Sequence, residues 1–568
     1  MRVIELARTA FLSLLFTFRF TMSRVFNPIL PGFHPDPSII RVDDVYYVAT
    51  STFEWWPGVQ INQSRDLANW ELCGYALTRR SQLDMRGNPD SGGVWAPALS
   101  YAEGKFWLIY SDVKSLDGPF KDVRNYLVTA DRIQGPWSDP IFLNSSGFDP
   151  SLFHDEDGRK WLLNQCWDPR STRNQFAGIL LQEYSPAERK LIGSPMAIFS
   201  GSELGVVEGP HLYRKDGFYY LVTAEGGTGW GHAVTVARSR SITGPYELSP
   251  HHPLLTAHGR PQVKLQKAGH GSFVQAKDGR WYLAHLCSRP VGTRRRCILG
   301  RETALQAVDW PKDGWPRLVG GGNSPADEIE IPGAAAATPY LDEFADDFSS
   351  RELGSHWNTL REPADSSWLD LATRPGHLRL IGRNSPNARH DQSLVGIRAL
   401  HHRGHVSTRL DFLPALPQQR AGLIFYYNTA NFHYLYVGGD GRDGRELQIL
   451  TSNNRQFSEG LSMPLALPKS GALELCAQLV DGQLQFSVAV DGGDPAPVGS
   501  ILDATILSDD HHITGGAGWA FTGLFIALCA QDSTGLGTPA DFDWFRYHAL
   551  DPVKPRAERH VRSQPSLL

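Results

Sequence analysis

Three acidic residues stand in similar local settings. Asp36 lies in FHPDPS, Asp149 in GFDPSLF and Glu208 in VVEGPHLY, each one or two positions ahead of a proline. An Asp before Pro also caps turns by accepting from the backbone beyond it, so Asp36 or Asp149 alone says little. Glu208 follows two valines, where burying a carboxylate without purpose is costly. Two carboxylates around an aromatic cleft are the apparatus of glycoside hydrolysis. One is protonated to assist the leaving oxygen, and the other is ionised to activate water or attack carbon. A third carboxylate near the acid would raise its pKa by like-charge repulsion and help to hold it in place.

What could bring these three together is a repeated unit. Five copies read DPSIIRVDDVYYV from Asp36, APALSYAEGKFWLIY from Ala96, DPSLFHDEDGRKWLL from Asp149, GPHLYRKDGFYYLVT from Gly209 and HGSFVQAKDGRWYLA from His270. Each holds a short apolar strand, a turn and an aromatic strand. Glu103-Gly104, Asp157-Gly158, Asp216-Gly217 and Asp278-Gly279 are hairpin signals. Anchored on Pro37, Pro97, Pro150, Pro210 and Gly271, the spacings are 60, 53, 60 and 61 residues. Four strands per unit at that period predict a five-bladed β-propeller. The first strand of each blade lines the central channel, so equivalent strand starts converge. The position before the anchor holds Asp36, Ala96, Asp149, Gly209 and His270, and the position two before it holds Trp95 and Glu208 in their blades.

The rest of the chain frames that unit. Its 568 residues exceed one hydrophobic core, so more than one domain is expected. The expected division is an extension over 1–25, the propeller over 26–320, a linker over 321–339, a β-sandwich of jelly-roll type over 340–550 and a tail over 551–568. The linker reading rests on GGGNSPADEIEIPGAAAATP, and the sandwich on short alternating strands such as HVSTRLDFL, AGLIFYYN and ELQILTS. Sixteen Trp, 18 Tyr and 27 Phe beside 55 Gly and 38 Pro fit an all-β protein with aromatic clefts. A net charge of −5 gives no electrostatic reason to expect nucleic acid or an anionic membrane as partner. The six Cys show no paired metal spacing and read as free thiols. At the N-terminus, Arg19 interrupts an apolar stretch too short to span a bilayer, and no small-residue cleavage site follows. A cytoplasmic location is expected, with secretion as the alternative.

Seven segments in order, NPILPGFHPDPS (27–38), STFEWWPGV (51–59), GVWAPALSY (93–101), GFDPSLF (147–153), VVEGPHLY (206–213), GHGSFV (269–274) and LGRETALQ (299–306), resemble glycoside hydrolase family 43, in particular its two-domain β-xylosidases. The resemblance covers about residues 26–550. It implies a propeller with an inverting active site followed by a concanavalin-like sandwich. It further implies Asp36 as the general base, Glu208 as the general acid and Asp149 as the carboxylate that tunes and orients the acid. Phe53 and Trp95 match aromatic walls of the terminal-sugar subsite, and Arg301 matches an Arg that contacts that sugar and the carboxylates. Phe521, in WAFTGLF, matches a sandwich loop that reaches back to the pocket. His270 matches a channel histidine that in some relatives helps to hold calcium through waters. No cofactor is expected to be required, and calcium in the channel is the one admitted. Ala98 and Trp56 depart from the family pattern, at positions expected to bear on substrate preference.

The expected activity is exo-acting, inverting release of xylose from the non-reducing end of β-1,4-xylooligosaccharides. The alternatives are an α-L-arabinofuranosidase, alone or as a second activity, and a non-catalytic carbohydrate-binding propeller. Enzymes of this two-domain kind often associate, so a homo-oligomer is admitted.

Overall fold

The computed structural model describes residues 22–338, 340–514 and 520–550. Readings that concern 1–21, Trp519 and the tail from 551 lie outside the described residues. Five antiparallel sheets, each with four strands in chain order, make up the first part, the fourth with one extra short strand. Their innermost strands are Ser38–Val42, Gly93–Ala102, Ser151–His154, Glu208–Lys215 and Gln266–Gln275. Each touches the next, and the last touches the first. This is the five-bladed propeller that the repeat predicts. Apolar side chains fill the space between neighbouring blades, as Ile61 and Leu77 of the first do against Leu108 and Tyr110 of the second.

The four hairpin signals divide into two kinds. Glu103-Gly104 and Asp216-Gly217 are two-residue turns with both φ angles positive (54° and 73°, 51° and 75°). That geometry matches the right-handed twist of the flanking strands. Asp157-Gly158 and Asp278-Gly279 sit in five-residue loops, 155–159 and 276–280, in which only the glycine has positive φ.

The ring is closed by the start of the chain. Leu30 and Thr303 exchange backbone hydrogen bonds of 3.1 and 3.2 Å, and the Asn27 side chain bonds the backbone of Leu305 and Ala326. Two boundaries differ from the expectation here. Residues 22–25 are not extension but part of strand Met22–Phe26, and the supposed linker contains strand Glu328–Pro332, which pairs with it. Glycine, alanine and proline on either side mask a period-two pattern in which Ile329 and Ile331 are buried while Glu328 and Glu330 are exposed.

The second part is a sandwich of two antiparallel sheets. One runs through Leu378–Ile381, Pro539–Ala549, Arg403–Phe412, Leu473–Val480 and Gln483–Val490. The other runs through Arg445–Asn453, Asn431–Gly439, Gln419–Asn428, Phe525–Asp532, Ser393–Arg398 and Asn358–Leu360. Its last neighbour is Trp55–Trp56 from the propeller, in register with Leu360 and Thr359. Leu423, Phe425 and Leu435 face the sandwich core, whereas Ile424, Tyr426 and Tyr434 join a cluster with Phe33, Phe53, Trp55 and Trp95 of the propeller. This second sheet is therefore covered on both faces, and its strands are runs of buried residues rather than alternating ones.

Two buried charged contacts also cross between the parts. Arg361 bonds Asp90 at 2.8 Å, with both side chains buried. The Lys267 ammonium lies 3.0 Å from Asp509 and 2.8 Å from Asp510, at the start of helix Asp509–Thr514. Removing one member of a buried set leaves the remaining charges uncompensated. Lys267→Met should lower stability by about 3–5 kcal/mol in urea unfolding; a loss well below 1 kcal/mol would mean that this contact adds nothing to domain docking.

Candidate active site

The five equivalent strand-start residues share one backbone feature. Asp36, Ala96, Asp149, Gly209 and His270 all have positive φ, at 55°, 28°, 52°, 58° and 44°. A left-handed residue is strained unless it is glycine, and here four of the five blades carry that strain where side chains turn towards the channel, with Gly209 free of it. In the second, fourth and fifth blades, the innermost ladder also slips in register at this point. At blade four the space itself requires glycine. A Cβ on Gly209 would sit 2.9 Å from His270 Cε1, and the carboxyl of that blade stands on the preceding residue, Glu208.

The eight candidate site residues of the sequence line one pocket, with about 230 Å³ open to the centre of a water-sized sphere: Asp36, Phe53, Trp95, Asp149, Glu208, His270, Arg301 and Phe521. Arg301 is its hub. Its Nη1 donates to Asp36 Oδ1 at 3.2 Å and to Thr228 at 3.0 Å, and Nη2 donates to the Phe521 carbonyl at 3.0 Å. Its guanidinium also lies 5.3 Å from the Phe53 ring centre and 5.2 Å from that of Phe521. Ser51 donates to the other Asp36 oxygen at 2.6 Å, and Asp149 accepts the Gly209 N–H at 3.1 Å.

These contacts put the three carboxyls in different states. Burial pushes Asp36 up, but Arg301 and the Ser51 hydroxyl outweigh it and hold Asp36 below the usual range. Asp149 is pushed up to about 8, by burial first and then by the Asp36 charge. Glu208 is pushed well above its ordinary value by burial, then by Asp149 and Asp36. The pocket thus favours the ionised form of Asp36 and the protonated form of Glu208, the division that acid and base assistance at one bond requires.

The walls are aromatic and come from both domains. The Phe521 ring centre lies 5.5 Å from that of Trp95 and 5.9 Å from that of Phe53, and Phe148 stands edge-on to Trp95. Ser91 joins these walls. Its Oγ accepts the Phe521 N–H at 2.9 Å, its carbonyl accepts the Trp95 indole N–H at 2.7 Å, and its own N–H donates to the buried Glu54 at 3.0 Å.

Sequence reading missed Ser51, Ser91, Lys121, Phe148, Phe176 and Thr228. Ser51 and Phe148 stand inside segments already singled out and were within reach; Lys121, Phe176 and Thr228 belong to no repeated position. Ala98 and Trp56 do not line the pocket. Trp56 is buried and bonds along the Asn358–Leu360 edge of the sandwich.

The donors around His270 do not fit a directly ligated calcium, which takes six to eight oxygens. Asp36 is the nearest carboxylate, 3.9 Å from His270 Nδ1, and is already engaged by Arg301 and Ser51. The one group of described residues with metal-like spacing is Cys297, Asp509 and Asp510, where the Lys267 ammonium supplies the positive charge.

Residues 25–316 match the family described as "Glycosyl hydrolases family 43", and residues 345–548 match "Beta xylosidase C-terminal Concanavalin A-like domain". The chain is 48% identical to "Xylosidase/arabinosidase 43B" of Humicola insolens, over 95% of this chain and 100% of that one. It is 46% identical to "Beta-xylosidase" of Bacillus subtilis (strain 168), over 92% and 99%. The crystal structure of xylan beta-1,4-xylosidase from Bacillus Halodurans C-125 superposes with a TM-score of 0.89 at 51% identity, covering 92% of this chain and 100% of that one.

Asp149→Asn keeps an acceptor for the Gly209 N–H but removes a carboxyl whose charge, formed as pH rises past about 8, opposes ionisation of Glu208. Glu208 should then lose its proton about one pH unit or more lower, read from the carboxyl signal in a ¹³C NMR titration of labelled protein. An unmoved titration would mean that Asp149 does not tune Glu208.

Proposed function

The chain belongs to glycosyl hydrolase family 43 and is a glycosidase, and on that premise we propose that it removes single xylose units from the non-reducing end of β-1,4-xylooligosaccharides with inversion. Three buried carboxyls with opposed ionisation, in one aromatic pocket, carry this reading. The names of its relatives, two of which are called beta-xylosidase or xylosidase/arabinosidase, support the choice of sugar. The Phe521 wall, contributed by the second domain, supports a pocket closed at one end and so exo-action.

The terminal sugar packs between Phe53, Trp95 and Phe521, with Arg301 beside it. Glu208 delivers its proton to the glycosidic oxygen as the bond to the anomeric carbon breaks. Asp36 accepts a proton from water, whose oxygen attacks that carbon from the opposite face. Inversion calls for carboxyls about 6.5–9.5 Å apart, so that this water fits between them. Asp149 acts through Glu208: once ionised, its charge opposes loss of the Glu208 proton.

Proton NMR of xylobiose hydrolysis should show α-xylose first, before mutarotation; early β-xylose would rule out direct water attack. Asp36→Asn should lower kcat/KM by about 10²–10⁴-fold for every substrate. Glu208→Gln should do so for xylobiose but far less for a nitrophenyl xyloside, whose leaving group needs no proton. Equal losses on both substrates would sink the assignment of Glu208 as acid.

A second activity on α-L-arabinofuranosides is favoured by the name of the Humicola insolens relative. Rates on the nitrophenyl β-xylopyranoside and α-arabinofuranoside decide the balance, and no turnover of either would leave a binding protein. No metal is required in this reading. Dialysis against EDTA should leave kcat/KM within about twofold, whereas a loss restored by calcium would place the ion near His270 through waters. We also place the protein in the cytoplasm, where its six free thiols stay reduced; recovery in the culture medium would refute this.

A further inference from the structure

Two buried cations of the sandwich, Arg398 and Arg445, have no carboxylate within ion-pair distance among the described residues, and Arg445 has a backbone carbonyl on each of its three nitrogens. Arg398 ends strand Ser393–Arg398 at the seam between the domains and is 7% exposed. Its Nε donates to the Phe33 carbonyl at 2.8 Å and its Nη1 to Asn358 Oδ1 at 2.6 Å. The guanidinium also lies over the Phe33 and Phe525 rings, at 5.8 and 5.4 Å. Nη2 has no hydrogen-bond partner among the described residues, and none of their carboxylates comes within ion-pair distance of Arg398. Neutral oxygens and ring faces satisfy part of its directional bonding but leave the full charge uncompensated. Arg301, Arg361 and Lys267, by contrast, each have a carboxylate within 3.2 Å.

Arg398 lines a small cavity together with His34, Gln60, Tyr75, Tyr340 and His356. Of its other polar side chains, His34, Gln60 and Tyr340 are engaged with one another or with their neighbours, which leaves Arg398 Nη2 as a buried donor without a partner. Gln60 Nε2 lies 2.9 Å from His34 Nε2, the Tyr340 hydroxyl donates to Asn62, and both histidines are held below their ordinary pKa, by burial and by the Arg398 charge. The cavity leaves about 20 Å³ for the centre of a water-sized sphere, about the room for one atom-sized ligand. We propose that this cavity is a binding site for one small monovalent anion, chloride in solution, which neutralises Arg398 and locks the sandwich to the segment that leads into Asp36. A water would satisfy Nη2 without balancing its charge.

Thermal unfolding of the full chain at constant ionic strength separates these cases. Replacing sodium gluconate by sodium chloride should raise Tm by about 2–4 °C and saturate. The increment should vanish in Arg398→Gln. Crystals soaked in bromide should give an anomalous peak beside Arg398 Nη2, a readout that does not depend on the variant folding. An ordered water without anomalous signal at that place would overturn the proposal. So would a chloride increment of equal size in wild type and Arg398→Gln, because it would be a general salt effect.

Discussion

Three carboxyl groups cannot all be ionised in one buried pocket, and a single guanidinium settles which of them is. Arg301 touches Asp36 at 3.2 Å and leaves Asp149 and Glu208 to the effects of burial and like charge. The division of labour in the site therefore follows from where one cation is placed. Arg301 is held by Thr228 of blade four and by the Phe521 carbonyl of the sandwich. The electrostatics of the propeller site thus depend on a backbone atom of the other domain.

That dependence explains why the second domain is built as it is. An ordinary sandwich shows one face of each sheet to water. Here one sheet is covered on both sides, accepts Trp55–Trp56 of the propeller as its edge strand and stacks Phe525 on Trp55 at 3.5 Å between ring centres. Ser91 then links the buried Glu54, the Trp95 indole and the Phe521 backbone in one chain of hydrogen bonds. A pocket wall assembled from two domains is rigid only if the seam is, and the buried Lys267 and Arg361 contacts belong to that same seam.

Much of this was legible before any coordinates. The five-fold spacing exposed the blades, and the phase of the repeat selected Asp36, Asp149 and His270, with Trp95 and Glu208 close beside them. The resemblance added Phe53, Arg301 and Phe521, and the pocket gathers all eight. The reading failed where a pattern depends on what covers it. Strands such as AGLIFYYN were read as alternating because sandwich strands usually have a wet face. The strand EIEIP was passed over because its flanks looked like a linker. Lys121, Phe176 and Thr228 come from loops and outer strands whose lengths no repeat constrains.

Blade count, strand order and the convergence of strand starts are local properties repeated five times, so short-range pattern was enough to specify them. The ionisation of the three acids is not local. Asp36 and Arg301 are 265 residues apart, and Arg301 and the Phe521 carbonyl 220. Charge interactions depend on distance through space and on exclusion of water, and neither exists until the two domains close around the pocket. Residue types could say that acid and base were present. Only the folded chain decided which carboxyl keeps its proton.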